Sequence, residues 1–219
     1  MVYRSSQAPK SEHCNDVSVI SLTLKNIGQV EHAINADLKK VDEWYEFNQM
    51  KRNHSKYQAI TFGRVERNPV LTCERTVIPI QDEMELLSVN LDNKLKFEGQ
   101  IRKICRKVSQ QVAVLNRLKK ILPFELRIDI YRAFIAPHFN YCPESWHHCG
   151  ERGCAKLEKI NERALHFVTR DKSTTNETLL KQLNLLSPLN QRIVKMAIGV
   201  YKAIHGYKVP RGIGELLHL

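Results

Sequence analysis

The side chains with the clearest chemistry in this 219-residue chain are lysines and arginines. Between Lys94 and Arg132 the sequence has eleven of them against three acids, Glu98, Glu125 and Asp129, which gives a local net charge of +8. The whole chain carries +11, so most of its net charge lies in this one stretch. Strong positive charge favours acidic partners, with nucleic acid first and an anionic membrane surface second.

The same stretch has the periodicity of a long helix. Apolar residues recur in it at steps of three or four, a spacing that places them on one face of an α-helix of about seven turns. They are Phe97, Ile101, Ile104, Val108, Val112, Leu115, Leu118 and Leu122. The opposite side is rich in basic residues, namely Arg102, Lys103, Arg106, Lys107, Arg117 and Lys120, while Lys119 falls on the apolar side and must extend its stem to reach water. The sequence therefore predicts a helix that is buried on one side and basic on the other.

Two interpretations of this basic face remain open. It is either an ordinary solvated helix face or a surface that meets phosphates. Under the second interpretation the binding residues in and beside the helix are Lys94, Lys96, Arg102, Lys103, Arg106, Lys107, Arg117, Lys119 and Lys120.

A second group with chemical potential is a cluster of cysteines and histidines within thirteen residues: Cys142, His147, His148, Cys149 and Cys154. Four such ligands can form a closed tetrahedral zinc site. The spacing matches no familiar finger or knuckle, however, and adjacent ligands such as His148 and Cys149 are awkward on one metal. A Cys149 nucleophile would also need a base, an orienting group and a pocket. We therefore predict neither a metal site nor a catalytic cysteine, and no small-molecule substrate.

Composition places the chain among globular proteins. Apolar residues make up 42%, enough for a core in one large domain or two small ones. No apolar run is long enough for a membrane span, and the first residues lack the apolar core of a signal peptide. Six cysteines are too sparse for a disulfide scaffold. These features predict a protein of the nucleus or cytoplasm that is not secreted and does not bind a membrane.

The first half of the chain mixes helix and strand patterns. Residues 1–15 predict a frayed start, and 17–24 a short strand or helical turn. Residues 30–50 predict a helix in which Trp44 and Tyr45 belong to the core rather than to a base-stacking surface. Strands are predicted at 57–62, 70–73, 76–78 and 84–91.

After Leu122 the pattern is mostly helical. A short helix is predicted to end at Pro137, followed by a loop over 140–153 and a helix over 155–169. Further helices are predicted to begin at an Asn176 N-cap and at Ser187, with Gly206 as the final stop. The fold class is therefore α+β, mostly helical.

Two stretches resemble the reverse transcriptases of non-LTR (LINE-type) retrotransposons. The first runs from Asn35-Ala36-Asp37-Leu38 and Trp44 through Asn48-Gln49-Met50-Lys51 and Ser55-Lys56 to Ile60-Thr61-Phe62-Gly63. It is similar to the helix and strand that follow the catalytic aspartate turn in the palm, and it adds Lys51 and Lys56 to the candidate nucleic-acid-binding residues. The second runs from Leu86-Leu87-Ser88-Val89-Asn90-Leu91-Asp92 to Leu95-Lys96-Phe97 and is similar to the hairpin that grips the primer end. The family usually has Gly where this chain has Ser88, and often His where it has Gln100.

The resemblance covers roughly residues 30–205 and implies a domain plan. Residues 1–29 would be a poorly ordered segment, 30–93 a partial palm with one helix and a small antiparallel sheet, 94–205 a thumb-like helical region, and 206–219 a tail. The thumb-like region would lie along an RNA or RNA–DNA duplex.

The resemblance also implies that the reaction centre lies upstream of this chain. The family's polymerase chemistry uses carboxylates on two Mg²⁺ ions, supplied in part by an Asp-Asp turn. This sequence has no adjacent aspartates, since its seven stand singly at Asp16, Asp37, Asp42, Asp82, Asp92, Asp129 and Asp171. We therefore expect a catalytically inactive fragment with residual nucleic-acid binding, and Mg²⁺ only in the complete family enzyme. The alternatives are a basic helical protein that docks nucleic acid or an acidic protein, and a relic without function. The oligomeric state stays open.

Overall fold

The computed structural model describes residues 20, 26–51, 53–63, 65–73 and 76–207. The predictions for residues 1–15, and those for 17–24 apart from Ile20, lie outside these ranges. The fold class is α+β and mostly helical, as the sequence predicts. The described residues form two compact units, one up to Met84 and one from Glu85 onward.

The helices and strands of the described residues follow one another along the chain. In order they are α1 (Ile27–Phe47), β1 (Leu71–Cys73), β2 (Thr76–Ile78), β3 (Glu83–Leu86), β4 (Val89–Asp92), α2 (Glu98–Leu118), α3 (Phe124–Ile130), α4 (Ala136–Asn140), α5 (Pro143–Trp146), α6 (Gly150–Thr169), α7 (Asn176–Gln182) and α8 (Pro188–Ile204). A 3₁₀ turn spans His54–Lys56, and a π-helical turn spans Tyr131–Ile135.

In the first unit α1 packs on a two-stranded antiparallel sheet. Asn26 caps the helix, because its side-chain oxygen accepts a hydrogen bond from the Gly28 amide at 2.8 Å. The Asn35 side chain binds the backbone at the start of β1, donating to the Val70 carbonyl at 3.0 Å and accepting from the Thr72 backbone amide at 2.9 Å. A small core holds the two elements together: Leu38, Leu71, Cys73 and Ile78.

Two predictions for the first unit are wrong. Residues 57–62 do not form a strand, since only Ala59 makes an isolated parallel bridge, to Ile80. Trp44 is 45% exposed and therefore does not belong to the core. Its neighbour Tyr45 is half-buried and meets the Trp44 ring edge to face at 5.3 Å between centroids.

The β3 and β4 strands form a hairpin where the sequence predicted a single strand over 84–91. The reversal occurs at Leu87 and Ser88, whose φ angles are +46° and +66°. Positive φ at both central residues is the geometry of a type I′ turn, which usually contains Asn or Gly. The pattern Leu-Ser lacks that sequence signal, so the strand pattern alone does not show the turn, whereas the resemblance of this stretch to a primer-gripping hairpin implies one.

The hairpin leads into α2 through a turn that Asp92 stabilises. The Asp92 carboxylate accepts hydrogen bonds from the backbone amides of Lys94 at 3.1 Å and Lys96 at 3.0 Å. Gln100, in the first turn of α2, accepts a hydrogen bond from the Asn90 amide at 3.0 Å. These bonds fix the start of the long helix relative to β4.

The core of the second unit lies between α2 and α6. The predicted apolar stripe of α2 is buried at Ile101, Ile104, Val108 and Val112, with Leu115 half-buried. Its C-terminal part is wrong, because α2 ends at Leu118, which is 45% exposed. In α6, where the sequence predicts a helix over 155–169, apolar residues at helical spacing are buried: Leu157, Ile160, Ala164, Leu165 and Val168. The long amphipathic helices are thus the part of the fold that periodicity predicts best.

Two predictions about the middle of the second unit are wrong. Pro137 does not end a helix, because α3 continues through the π-helical turn into α4. Proline has no N–H group, so it cannot donate the usual helical hydrogen bond to the carbonyl four residues earlier. Just before it, the Ala136 amide donates a hydrogen bond to the Tyr131 carbonyl in the wider π-helical pattern. Residues 140–153 are not a loop, since they contain α5 and the first turn of α6.

The observed ends of α7 and α8 are close to the predicted ones. The cap of α7 is Thr175, so the Asn176 prediction is wrong by one residue. Ser187 caps α8, and Gly206 follows it with φ of +71°, as expected of a helix stop. Each helix within the described ranges is either too short or too polar to span a lipid bilayer.

Candidate nucleic-acid interface

The outer side of α2 presents basic side chains to solvent. Arg102, Arg106, Lys107 and Arg117 are exposed, while the opposite stripe of the helix is buried. Arg106, Lys107 and Arg117 make no ion pair with any residue in the described ranges. Their charge is therefore not neutralised within the part of the protein that the structure describes.

Lys103 has a different environment. Its side chain is only 16% exposed, and its ammonium group lies 2.8 Å from the Glu85 carboxylate. The same group donates a hydrogen bond to the Ser88 carbonyl at 3.0 Å. Lys103 thus ties α2 to the β3–β4 hairpin, and a phosphate would have to compete with these contacts.

The remaining basic candidates of the second unit lie at the two ends of α2. Lys94 and Lys96 are exposed in the turn before the helix, and Lys120 is exposed after it. Lys119 is half-buried, in keeping with its position on the apolar side. Lys51 and Lys56 are exposed too, but they belong to the first unit and are not assigned to the α2 surface.

Arginines outside the predicted set donate to backbone carbonyls at the C-terminal end of α2 and just beyond it. Arg127 donates to the Lys119 carbonyl at 3.3 Å, and Arg170 donates to the Leu122 carbonyl at 2.9 Å. Cations beside the free carbonyls at a helix end are favourable because of the helix dipole. Burial, followed by the nearby Arg170 charge, lowers the pKa of Arg127 from its usual value.

His138 lies beside the basic surface without adding to its charge. Burial lowers the pKa of its imidazole, and the positive charge of Lys107 lowers it further. A histidine with a lowered pKa is neutral at physiological pH. We therefore expect no gain in surface charge from His138 until the pH falls well below neutrality.

A second basic row, on α6, was missed by the sequence analysis. Four exposed basic residues follow one another at steps of four, three and four: Arg152, Lys156, Lys159 and Arg163. These steps place them on one side of the helix. The same periodicity argument that revealed the basic side of α2 would have found them, had it been applied to charged as well as apolar residues of α6.

The cysteine and histidine cluster is only partly brought together. The sulfur atoms of Cys149 and Cys154 lie 3.8 Å apart, whereas Cys142 is exposed. Within the described ranges no group of three or more histidine, cysteine or acidic side chains is arranged to hold a metal ion. Burial, followed by the proximity of Cys154, raises the pKa of the Cys149 thiol to about 11, so this thiol is protonated at neutral pH.

Comparison of the chain with protein-family models, with curated proteins and with solved structures finds no match.

Proposed function

We propose that this chain binds the phosphate backbone of nucleic acid through the outer side of α2. The observation that carries the proposal is that Arg106, Lys107 and Arg117 are exposed and unpaired within the described ranges, on a helix whose other side is held in the core. A packed helix keeps such charges on one surface. Binding of a polyanion there releases its condensed counterions, and this release is the main source of non-specific affinity.

The residue types favour backbone contacts over reading of sequence. Lysine and arginine bind phosphates through their positive charge and their N–H donors, and such contacts orient a protein on nucleic acid without selecting bases. We therefore expect binding with little sequence preference, and the resemblance to reverse transcriptases makes an RNA or an RNA–DNA hybrid the proposed partner. This proposal places the protein in the nucleus or cytoplasm.

We also propose that the chain corresponds to the part of a non-LTR retrotransposon reverse transcriptase that follows its catalytic aspartate turn. The order of α1, the small sheets, the β3–β4 hairpin and α2 supports this proposal. So does the positive φ of Ser88, at the position where the family usually has glycine. The sequence has no adjacent aspartates to hold two Mg²⁺ ions, so we expect binding without nucleotide transfer by this chain.

The experiment is a titration of purified protein with a labelled RNA–DNA hybrid across a salt series. We expect log affinity to fall linearly with log salt concentration, with a slope of about −0.9 for each neutralised phosphate. The triple variant Arg106→Gln/Lys107→Gln/Arg117→Gln should flatten the slope by roughly two to three. The matched control Lys39→Gln/Lys172→Gln/Lys202→Gln removes the same charge from exposed positions elsewhere and should change the slope by less than about one.

Three results would contradict these proposals. Absence of binding at about 50 mM salt, where phosphate contacts are strong, would mean that the basic side of α2 is only solvated. Equal effects of the two triple variants would mean that net charge, not the α2 surface, governs binding. Independently, a transcript whose region upstream of Met1 encodes no Asp-Asp turn in any frame would oppose the reverse-transcriptase proposal.

A further inference from the structure

Two cysteine thiols lie together at the start of α6. The sulfur atoms of Cys149, just before the helix, and Cys154, in its second turn, are 3.8 Å apart. The chain turns at Gly150, whose φ is +75°, and the Cys149 side chain lies against Gly153. A Cβ added at Gly153 would be only 3.1 Å from the Cys149 sulfur. The glycine therefore leaves the space in which the two sulfur atoms meet.

The two thiols differ in their access to solvent. Cys149 is buried, with 8% of its surface exposed, whereas Cys154 is half-buried. Burial, followed by the proximity of Cys154, raises the pKa of the Cys149 thiol to about 11, so Cys149 keeps its proton at neutral pH. A small solute therefore reaches the Cys154 sulfur first.

A buried arginine faces the more accessible thiol. The Arg192 guanidinium is 0% exposed and donates a hydrogen bond to the Cys154 sulfur at 3.1 Å. Among the described residues its Nε and Nη1 atoms have no hydrogen-bond partner, and no carboxylate pairs with it. Burial, followed by the Arg192 charge, lowers the pKa of the nearby His147, which is therefore neutral at physiological pH. Arg192 is thus a buried cation whose available counter-ion is a Cys154 thiolate.

We infer that Cys149 and Cys154 form a peroxide-sensitive pair that closes to a reversible disulfide. A thiolate held beside a cation is the reactive form of cysteine. The Cys154 thiolate attacks one oxygen of hydrogen peroxide, so that a sulfur–oxygen bond forms, the oxygen–oxygen bond breaks, and the departing hydroxide takes a proton from solvent. The Cys149 sulfur then attacks the Cys154 sulfenic acid, and its oxygen leaves with the Cys149 proton as water. The two sulfurs together lose two electrons, and the peroxide gains them.

The geometry favours this pair over the other cysteines of the described chain. A disulfide bond is about 2.05 Å long, so the two sulfurs need to approach each other by less than about 2 Å. Among the five cysteines that the structure describes, this is the pair whose sulfur atoms are in contact. The inference does not depend on the proposed binding of nucleic acid, because neither sulfur belongs to α2.

The test treats the reduced full-length chain with a slight molar excess of hydrogen peroxide and maps its tryptic peptides without reduction. Trypsin cleaves after Arg152, between the two cysteines, so the disulfide appears as two joined peptides that dithiothreitol separates. Arg192→Met keeps most of the side-chain volume without the cation and should slow formation of the joined peptides by about tenfold. The matched control Arg163→Met removes an exposed arginine from the same helix and should change the rate by less than about twofold.

A second variant tests the role of the buried thiol. Cys149→Ser should yield no joined peptides and should accumulate a Cys154 sulfenic acid, which dimedone traps. The control Cys142→Ser should form the joined peptides at the wild-type rate, and circular dichroism should show that each variant keeps its helices.

Three results would overturn the inference. One is wild-type protein that forms no Cys149–Cys154 link, or that links Cys142 instead. Another is an Arg192→Met variant that oxidises at the wild-type rate. The third is a Cys149→Ser variant without sulfenic acid at Cys154, and this measurement decides the inference even where Arg192→Met does not fold.

Discussion

Helices α2 and α8 both combine apolar and polar residues, yet they are oriented in opposite ways. Helix α2 buries its apolar stripe and exposes basic side chains. Helix α8 buries Arg192, which is fully inaccessible, and exposes apolar residues along its outer side: Ile193, Val194, Ile198, Val200, Tyr201 and Ile204. The comparison shows that an amphipathic pattern predicts a helix without fixing which side of it faces the core.

The contacts of α8 explain its orientation. The Arg192 guanidinium lies over the buried Trp146 ring, 5.1 Å from its centroid, and donates to the Cys154 sulfur at 3.1 Å. Lys195 donates to the Asn140 carbonyl at 2.7 Å. Cation–π and hydrogen-bond contacts thus hold α8 against α5 and α6, where α2 relies on close-packed apolar side chains.

The largest expected effect comes from a charge placed on the buried side of α2. Val108 is 0% exposed, so the variant Val108→Asp puts a carboxylate among apolar side chains and should lower the free energy of unfolding by about 3 kcal/mol or more. Chemical denaturation followed by circular dichroism measures this change. The matched control is Val114→Asp on the exposed side of the same helix, which should cost less than about 1 kcal/mol. Similar losses for both variants would contradict the assigned orientation of α2.

A smaller effect is expected when the buried arginine of α8 is replaced. Arg192→Ala leaves a cavity over Trp146 and should lower the free energy of unfolding by about 2–4 kcal/mol. Arg192→Met keeps most of the volume and removes a buried charge whose Nε and Nη1 atoms have no hydrogen-bond partner among the described residues. The free energy of unfolding of the methionine variant should therefore lie within about 1 kcal/mol of the wild-type value, or exceed it.

Thermal and urea denaturation of the two variants show whether Arg192 stabilises the fold through its volume or through its charge. If methionine costs as much as alanine, the guanidinium contacts themselves stabilise α8. The contrast drawn between α2 and α8 would then be sharper, since α8 would depend on its cation.

The sequence correctly predicted those elements whose buried residues recur at regular spacing within the element itself. The buried positions of α2 and α6, such as Ile104 and Leu165, recur at helical spacing, and the β1 and β2 strands are short runs of apolar and β-branched residues. The basic side of α2 follows from the same pattern. The orientation of α8 was not predictable in this way, because Arg192 is buried only through partners on other elements.

The errors have related physical causes. Residues 57–62 have a strand composition, but a strand needs a neighbour, and only Ala59 finds one. Trp44 shares a helix edge with core residues, yet the small sheet beneath α1 is too short to cover it. The role of Lys103 at the β3–β4 hairpin depends on Glu85 and Ser88, which lie more than a dozen residues earlier in the chain. In each case the deciding contact is tertiary.

The smallest expected effect tests the exposed apolar side of α8. Ile198 is 48% exposed, so the lysine of Ile198→Lys can extend its ammonium into water, and the free energy of unfolding should change by less than about 0.5 kcal/mol. The same substitution at the buried Ile104 of α2 should cost several times more, on the order of 3 kcal/mol, because its charge has no path to solvent. Urea denaturation of both variants at one protein concentration provides the comparison. A loss above about 1.5 kcal/mol at Ile198 would mean that other atoms cover this side of α8 in the folded protein, and the opposite orientations of the two helices would then have to be abandoned.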